Sequence, residues 1–184
     1  MAMPEPRTRW TLAEVNALPS DGNRYELVDG ELLVSPAPRL WHQVVLKRLY
    51  DMINPYVSEM GDHLCLPLAV DVSFEEEQVM QPDLLVMPLL PGGRVPERFT
   101  DVGRLLLAVE VLSPSTEWYD RVVKRTAFQP HVPEYWVVDP DRERVERWRP
   151  GDAEPEVCTG TMSWHPMERL APLTLDLTAL FAGR

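Results

Sequence analysis

Residues Leu105 to Leu112 read LLLAVEVL, a run that is apolar but for one carboxylate, and no other stretch restricts the fold as strongly. It is long and greasy enough to be a central strand covered on both faces, which calls for a sheet with helices packed against it. Glu110 lies inside this strand, on one face with Ala108 and Leu112. An ionised carboxylate in a dry interior costs several kcal/mol unless a metal, a cation or hydrogen bonds compensate it. Something elsewhere in the chain must answer Glu110.

Directly after the strand, Ser113-Pro-Ser-Thr116 opens an amphipathic helix, capped by Ser115 or Thr116 and ended by Pro130. A 3.6-residue period puts Tyr119, Val122, Val123 and Ala127 on its packed stripe. Asp120 and Lys124 fall one turn apart on another side, where the plain account is a surface ion pair worth a few tenths of a kcal/mol. Lys124 draws notice because, of the 18 Lys and Arg residues, only Lys47 and Lys124 are lysines.

Upstream, Thr11 and Glu14 form a capping box that starts a short helix over 12–18, with Pro19 beyond it. Asp29-Gly30 is a two-residue type I′ turn, so Tyr25–Val34 is a hairpin. Leu27 faces Leu32 and Tyr25 faces Val34, while Glu26, Val28, Glu31 and Leu33 share the opposite side. Glu26 points either at a site or at water, and water is the commoner fate of a Glu. A helix follows from Leu40 to about Tyr56, closed by Pro55 and Gly61, with His42 in its first turn. A lone His there is more often an ordinary packed or solvated residue than a functional one.

Strands are expected at 66–72 and 80–87. Pro82 marks the start of the second, and Asp83 lies just inside it, on one face with Leu85 and Met87. Asp83 fits a backbone cap at a strand end as well as a functional carboxylate. Two further strands, 134–138 and 144–148, flank Asp139-Pro-Asp-Arg142. Their arginines alternate with acids and read as a charge-paired edge rather than a phosphate grip. A peripheral strand and a last short helix end at Phe181.

With 184 residues, no internal repeat and no linker, the chain is expected to be one domain, 1–184, loosely ordered at 1–9 and with its core at about 24–150. The formal charge of −11 speaks against a general electrostatic hold on nucleic acid, though not against a local one. Cys65 and Cys158 match no zinc spacing, and no apolar run approaches the roughly 20 residues of a membrane span. A soluble, cytoplasmic protein with no membrane partner is expected. Neither G-x-S-x-G nor H-E-x-x-H occurs, and the Pro91-Gly-Gly93 loop lacks the context of a phosphate cradle.

What remains is a pair of carboxylates on neighbouring strands, Asp83 and Glu110, with Lys124 on the next helix. Two carboxylates at the end of a sheet suit Mg²⁺, a hard ion that keeps several waters and often binds substrate phosphate. The motifs Gln-Pro-Asp83 and Val109-Glu-Val-Leu112 with a displaced Lys124 resemble the PD-(D/E)XK restriction-endonuclease-like superfamily. Tyr25-Glu-Leu-Val-Asp-Gly-Glu31, Glu110-Val-Leu-Ser-Pro-Ser-Thr116, Tyr119-Asp120 and Val132-Pro-Glu-Tyr-Trp-Val-Val-Asp139 narrow the resemblance to the bacterial Uma-type restriction endonucleases, over about 10–180.

The resemblance implies an α/β fold with a restriction-endonuclease-like mixed central sheet flanked by helices, in the order helix, three strands, helix, strand, plus the N-terminal hairpin. It implies that Asp83 and Glu110 hold Mg²⁺, with Mn²⁺ as a substitute. Lys124 takes the place of the Lys expected where Leu112 stands, and Glu26 and His42 complete the site. Phe128 and His131 depart from the family's usual Tyr and Gly. The implied activity is Mg²⁺-dependent hydrolysis of DNA phosphodiesters by a homodimer; the alternative is a catalytically silent binding or assembly module on the same scaffold.

Overall fold

A computed structural model describes residues 9–183. Apart from Arg9, the expected loose start at 1–9 lies outside the described residues. The capping box forms at Thr11 and Glu14 and starts α1 (Leu12–Asn16). β1 (Arg24–Val28) and β2 (Glu31–Ser35) pair in the expected register, Leu27 with Leu32 and Tyr25 with Val34. Asp29 and Gly30 adopt the positive φ values, 52° and 79°, that a type I′ turn requires.

The helix α2 (Leu40–Met60) runs four residues past the expected end at Tyr56, straight through Pro55. Proline forfeits one backbone hydrogen bond there. The packing of Ile53, Tyr56, Val57 and Met60 into the core offsets that loss. Gly61, at φ 76°, ends the helix in the left-handed region.

β3 (His63–Leu66) stops where the strand 66–72 was expected to begin. Pro67 has no N–H to donate, and the partner strand β4 (Leu84–Pro88) itself begins only at Leu84. Within 67–72 the only pairing is an isolated bridge from Val72 to Met80.

β5 (Leu107–Val111) is the strand that carries Glu110. It is followed by a π-helical segment, Tyr119–Lys124, that runs into α3 (Arg125–Phe128). β6 (Glu134–Asp139), β7 (Arg144–Trp148) and β8 (Glu156–Cys158) complete a six-stranded sheet in the order β3-β4-β5-β6-β7-β8. Only β5 and β6 are parallel, joined by the crossover through the helix. β8 covers β7, so the expected edge is an interior strand. β9 (Thr161–Trp164), β10 (Leu173–Asp176) and α4 (Leu177–Phe181) finish the chain.

Two cores flank the sheet. On one side α2, α4 and the β9–β10 pair cover Leu84, Val86, Val109 and Val111. On the other, the β1–β2 hairpin and Phe128 cover Leu85, Ala108 and Tyr135. The architecture is thus mixed α/β, a mixed central sheet flanked by helices with an added hairpin. No described helix is long and apolar enough to cross a membrane.

Candidate active site

Glu110 is 1 % exposed, and the answer to its charge comes from four separate elements. The β4–β5 register pairs Leu84 with Val109, so Asp83, one residue before β4, continues it opposite Glu110. Asp83 Oδ2 accepts a hydrogen bond from Val111 N at 2.8 Å, which caps the strand end and fixes the carboxylate. His42, from the first turn of α2, places Nε2 3.1 Å from the same oxygen. Arg24 Nη1 lies 3.2 Å from Oδ1.

Lys124 is the centre of the cluster. Its Nζ is 2.7 Å from Glu110 Oε1, 2.9 Å from Glu26 Oε1 and 3.8 Å from Asp120 Oδ1. It points into the fold, and its pairing with Asp120 is the weakest of the three. The expected helix face is therefore wrong: Asp120 and Lys124 are buried, while Val122 is 41 % exposed. The cause is the π-helical turn, which carries more residues per turn than the 3.6 on which the stripe was drawn.

Glu26 is likewise turned inward rather than to water. Leu27 exchanges backbone hydrogen bonds with Val79 at 2.8 and 2.9 Å, which lays β1 against the segment leading to Asp83. Glu26 Oε1 then accepts from Gln81 N at 2.6 Å as well as meeting Lys124. No local signal shows this, because every partner of Glu26 is more than 50 residues away. All five residues singled out from the sequence, Glu26, His42, Asp83, Glu110 and Lys124, thus meet in one place.

Sequence reasoning passed over two members. Arg24 is two residues before Glu26 on the same strand, so the period of two that faces Glu26 inward also brings Arg24 to the cluster. Asp120 was read as a surface partner and is 3 % exposed.

The electrostatics are unbalanced. Glu26, Asp83, Glu110 and Asp120 face two permanent cations, Arg24 and Lys124, with His42 against Asp83, so buried carboxyl groups outnumber the fixed positive charges. Burial alone would deprotonate Lys124, but Glu110, Glu26 and Asp120 outweigh it and hold the ammonium charged. Burial pushes Glu110 well above the ordinary carboxylate range; Lys124 opposes this, while Asp83, Asp120 and Glu26 add to it. Asp120 rises to about 6, chiefly through burial. Asp83 is the exception. Burial would raise it, yet the hydrogen bond and charge of His42, then Arg24 and Lys124, bring it down to about 2.

A dication fits this donor set. Glu110 Oε1 is buried, and its charged partner is the Lys124 ammonium at 2.7 Å. Among the described residues no three His, Cys, Asp or Glu side chains form a ready-made cage. Mg²⁺ commonly takes one or two carboxylates and fills the rest of its shell with water and phosphate. Asp83 and Glu110 would supply two, and the excess of carboxyl groups over permanent cations suits a positive ion. Above them lies a cavity of about 270 Å³, lined by Arg24, Arg39, His42, Asp83, Glu110 and Lys124 among others.

The family model Uma2, described as "Putative restriction endonuclease", matches residues 12–178. Among solved structures, the chain is similar to one titled as a "putative nuclease belonging to DUF820" from Anabaena variabilis ATCC 29413. That protein is 22% identical, the match covers 94% of this chain and 97% of that one, and the TM-score is 0.73. At this identity the likeness speaks for a shared fold. No curated protein matches. By the extent of the family match, the chain belongs to the Uma2 family.

Proposed function

We propose that this protein is a Mg²⁺-dependent endonuclease that hydrolyses DNA phosphodiester bonds, with Mn²⁺ as a substitute ion, and that it acts as one domain with its core at about 24–150. The observation that carries this is the buried imbalance of charged groups: four carboxyl groups around two permanent cations, with Lys124 shared among three of them. Family membership supports a nuclease.

Asp83 and Glu110 would hold the ion, which when bound supplies charge neutralisation at the phosphate and acidifies water. Lys124 is kept protonated by its three carboxylates, so it acts as a hydrogen-bond donor and fixed positive charge toward the attacked phosphate, not as a base. Glu26 holds the ammonium in place through its own anchor on Gln81 N. His42, tethered by Nε2 to Asp83, holds that carboxylate in place. Both cysteines are free and buried, in keeping with a cytoplasmic setting.

The test is cleavage of plasmid DNA by the full chain with Mg²⁺ or Mn²⁺. Nicking or linearisation is expected, with loss to background after Asp83→Ala or Glu110→Ala; full activity in either variant would sink the assignment. The second reading, a silent scaffold, is favoured by one observation: Arg24, His42 and Lys124 already sit on the ligand carboxylates. Calorimetry separates the two readings, since a silent scaffold binds no Mg²⁺. Gel filtration tests the expected homodimer.

A further inference from the structure

Beside the site lies a second, larger hollow. It measures about 630 Å³ and shares Arg24, Asp83 and the Ser35-Pro-Ala-Pro38 segment with the site cavity, so the two adjoin at Arg24. Nothing in the chemistry proposed above uses it.

We infer that this cleft seats the unpaired nucleotides next to the scissile phosphate, so that the substrate is single-stranded or locally opened DNA threaded from the cavity past Arg24. This rests on the nuclease reading and narrows its substrate. Four observations support it. The reactive groups are recessed, with Lys124 2 % and Glu110 1 % exposed. The site cavity, at about 270 Å³, is just below the roughly 300–1,000 Å³ of small-ligand pockets, room for about one nucleotide. A single or extruded strand bends into such a recess more readily than the stiff backbone of an intact duplex.

The lining of the cleft points the same way. Leu18, Tyr25 and Leu68 offer apolar surface to base faces, and Leu68 is left 60 % exposed on its wall. The exposed amides of Asn16 and Gln43 offer both donors and acceptors to base edges. Finally, Arg24 is the sole cation among the lining residues, beside Asp71 and Asp83; its Nη1 is held by Asp83 at 3.2 Å and Gln81 O at 2.9 Å, which leaves the rest of the guanidinium to meet a phosphate. A duplex grip would instead spread cations along two backbones, against a chain of charge −11.

Three substrates test this with the full chain and Mn²⁺: a labelled single-stranded DNA oligonucleotide, the same sequence as a blunt duplex, and bis(p-nitrophenyl) phosphate, which needs the site cavity alone. The single strand should be cut about tenfold faster than the duplex or more. Leu68→Glu and Gln43→Ala should each raise KM for the oligonucleotide, Leu68→Glu by about tenfold, well beyond any change for the small diester. Equal cutting of duplex and single strand, or oligonucleotide KM values untouched by Leu68→Glu, overturns the cleft assignment; turnover of the small diester would still leave the nuclease reading standing. Preference for an RNA strand overturns the DNA assignment. Failure to hydrolyse any of the three overturns the nuclease reading and the cleft assignment with it.

Discussion

Two knots of charge lie on either side of the helical segment 117–128, and they are built differently. On one side Glu117, Asp139 and Glu146 meet Arg121, Arg142 and Arg144, three acids against three bases. Asp139 accepts Arg121 at 2.6 Å and Arg142 at 2.9 Å, and its carboxyl is drawn below the ordinary range: burial opposes this, but the Arg142 bonds and the Arg121 charge prevail. On the other side four acids share two permanent cations, and Lys124 alone is divided among three of them. A balanced knot with one exposed flank is what a structural ion network looks like. An acid surplus sealed in the interior raises its own free energy, and a fold retains it where a missing charge is supplied from outside.

The largest way to break this contrast is at Lys124. Lys124→Met leaves three carboxylates buried around a thioether, and about 3–5 kcal/mol of stability should be lost in urea denaturation. Adding Glu110→Gln to that variant should recover part of the loss.

Next in size is the response to metal. Mg²⁺ at a hundred times its Kd should stabilise the protein by about 2.7 kcal/mol, read as a rise in melting temperature, and Glu110→Gln should abolish the rise. Without metal, Glu110→Gln should equal or exceed the parent in stability, because it relieves the surplus. Asp139→Asn should do the reverse and destabilise, since it unbalances the other knot. If Glu110→Gln is the more harmful of the two in metal-free buffer, the contrast fails.

The pH dependence sharpens it further. The folded-state pKa of Asp120, about 6, lies above the ordinary 3.8, so the folded protein binds the proton more tightly than the unfolded chain. Stability should thus fall as pH rises from about 4 to about 6, by on the order of 2–3 kcal/mol relative to Asp120→Asn. Asp83, held at about 2, has the opposite sign: its contribution is present above 3.8 and lost as pH falls toward 2. Smallest is Arg142→Ala, at an exposed guanidinium, for which under about 1 kcal/mol is expected, shrinking further in salt.

What could be read from the sequence divides along the same line. The Asp29-Gly30 turn, the Thr11 cap and the apolar run around Glu110 are local signals, and each specified its element. Of the balanced knot only the charge pairing on 142–149 was legible, as alternating Arg and acid; its share from Glu117, Arg121 and Asp139 was not, and the strand is interior rather than an edge. The inward turn of Glu26 was not, because Val79, Gln81 and Lys124 reach it from far along the chain. The packed face of the helix failed for another reason: no residue in Tyr119–Lys124 announces a π turn. Pro55 inside α2 shows tertiary packing overriding a local stop signal. Arg24 was within reach, since it keeps the parity of Glu26.

The bridge between Leu27 and Val79 also bears on when the site comes into being. Glu26 and Lys124 stand 98 residues apart and touch only after the hairpin has docked and the helix following β5 has packed. Contacts of such long sequence separation carry a large loop-closure cost and form late in folding. A chain still emerging from synthesis has the hairpin early but lacks the lysine, so the charge cluster closes only when most of the sheet is in place.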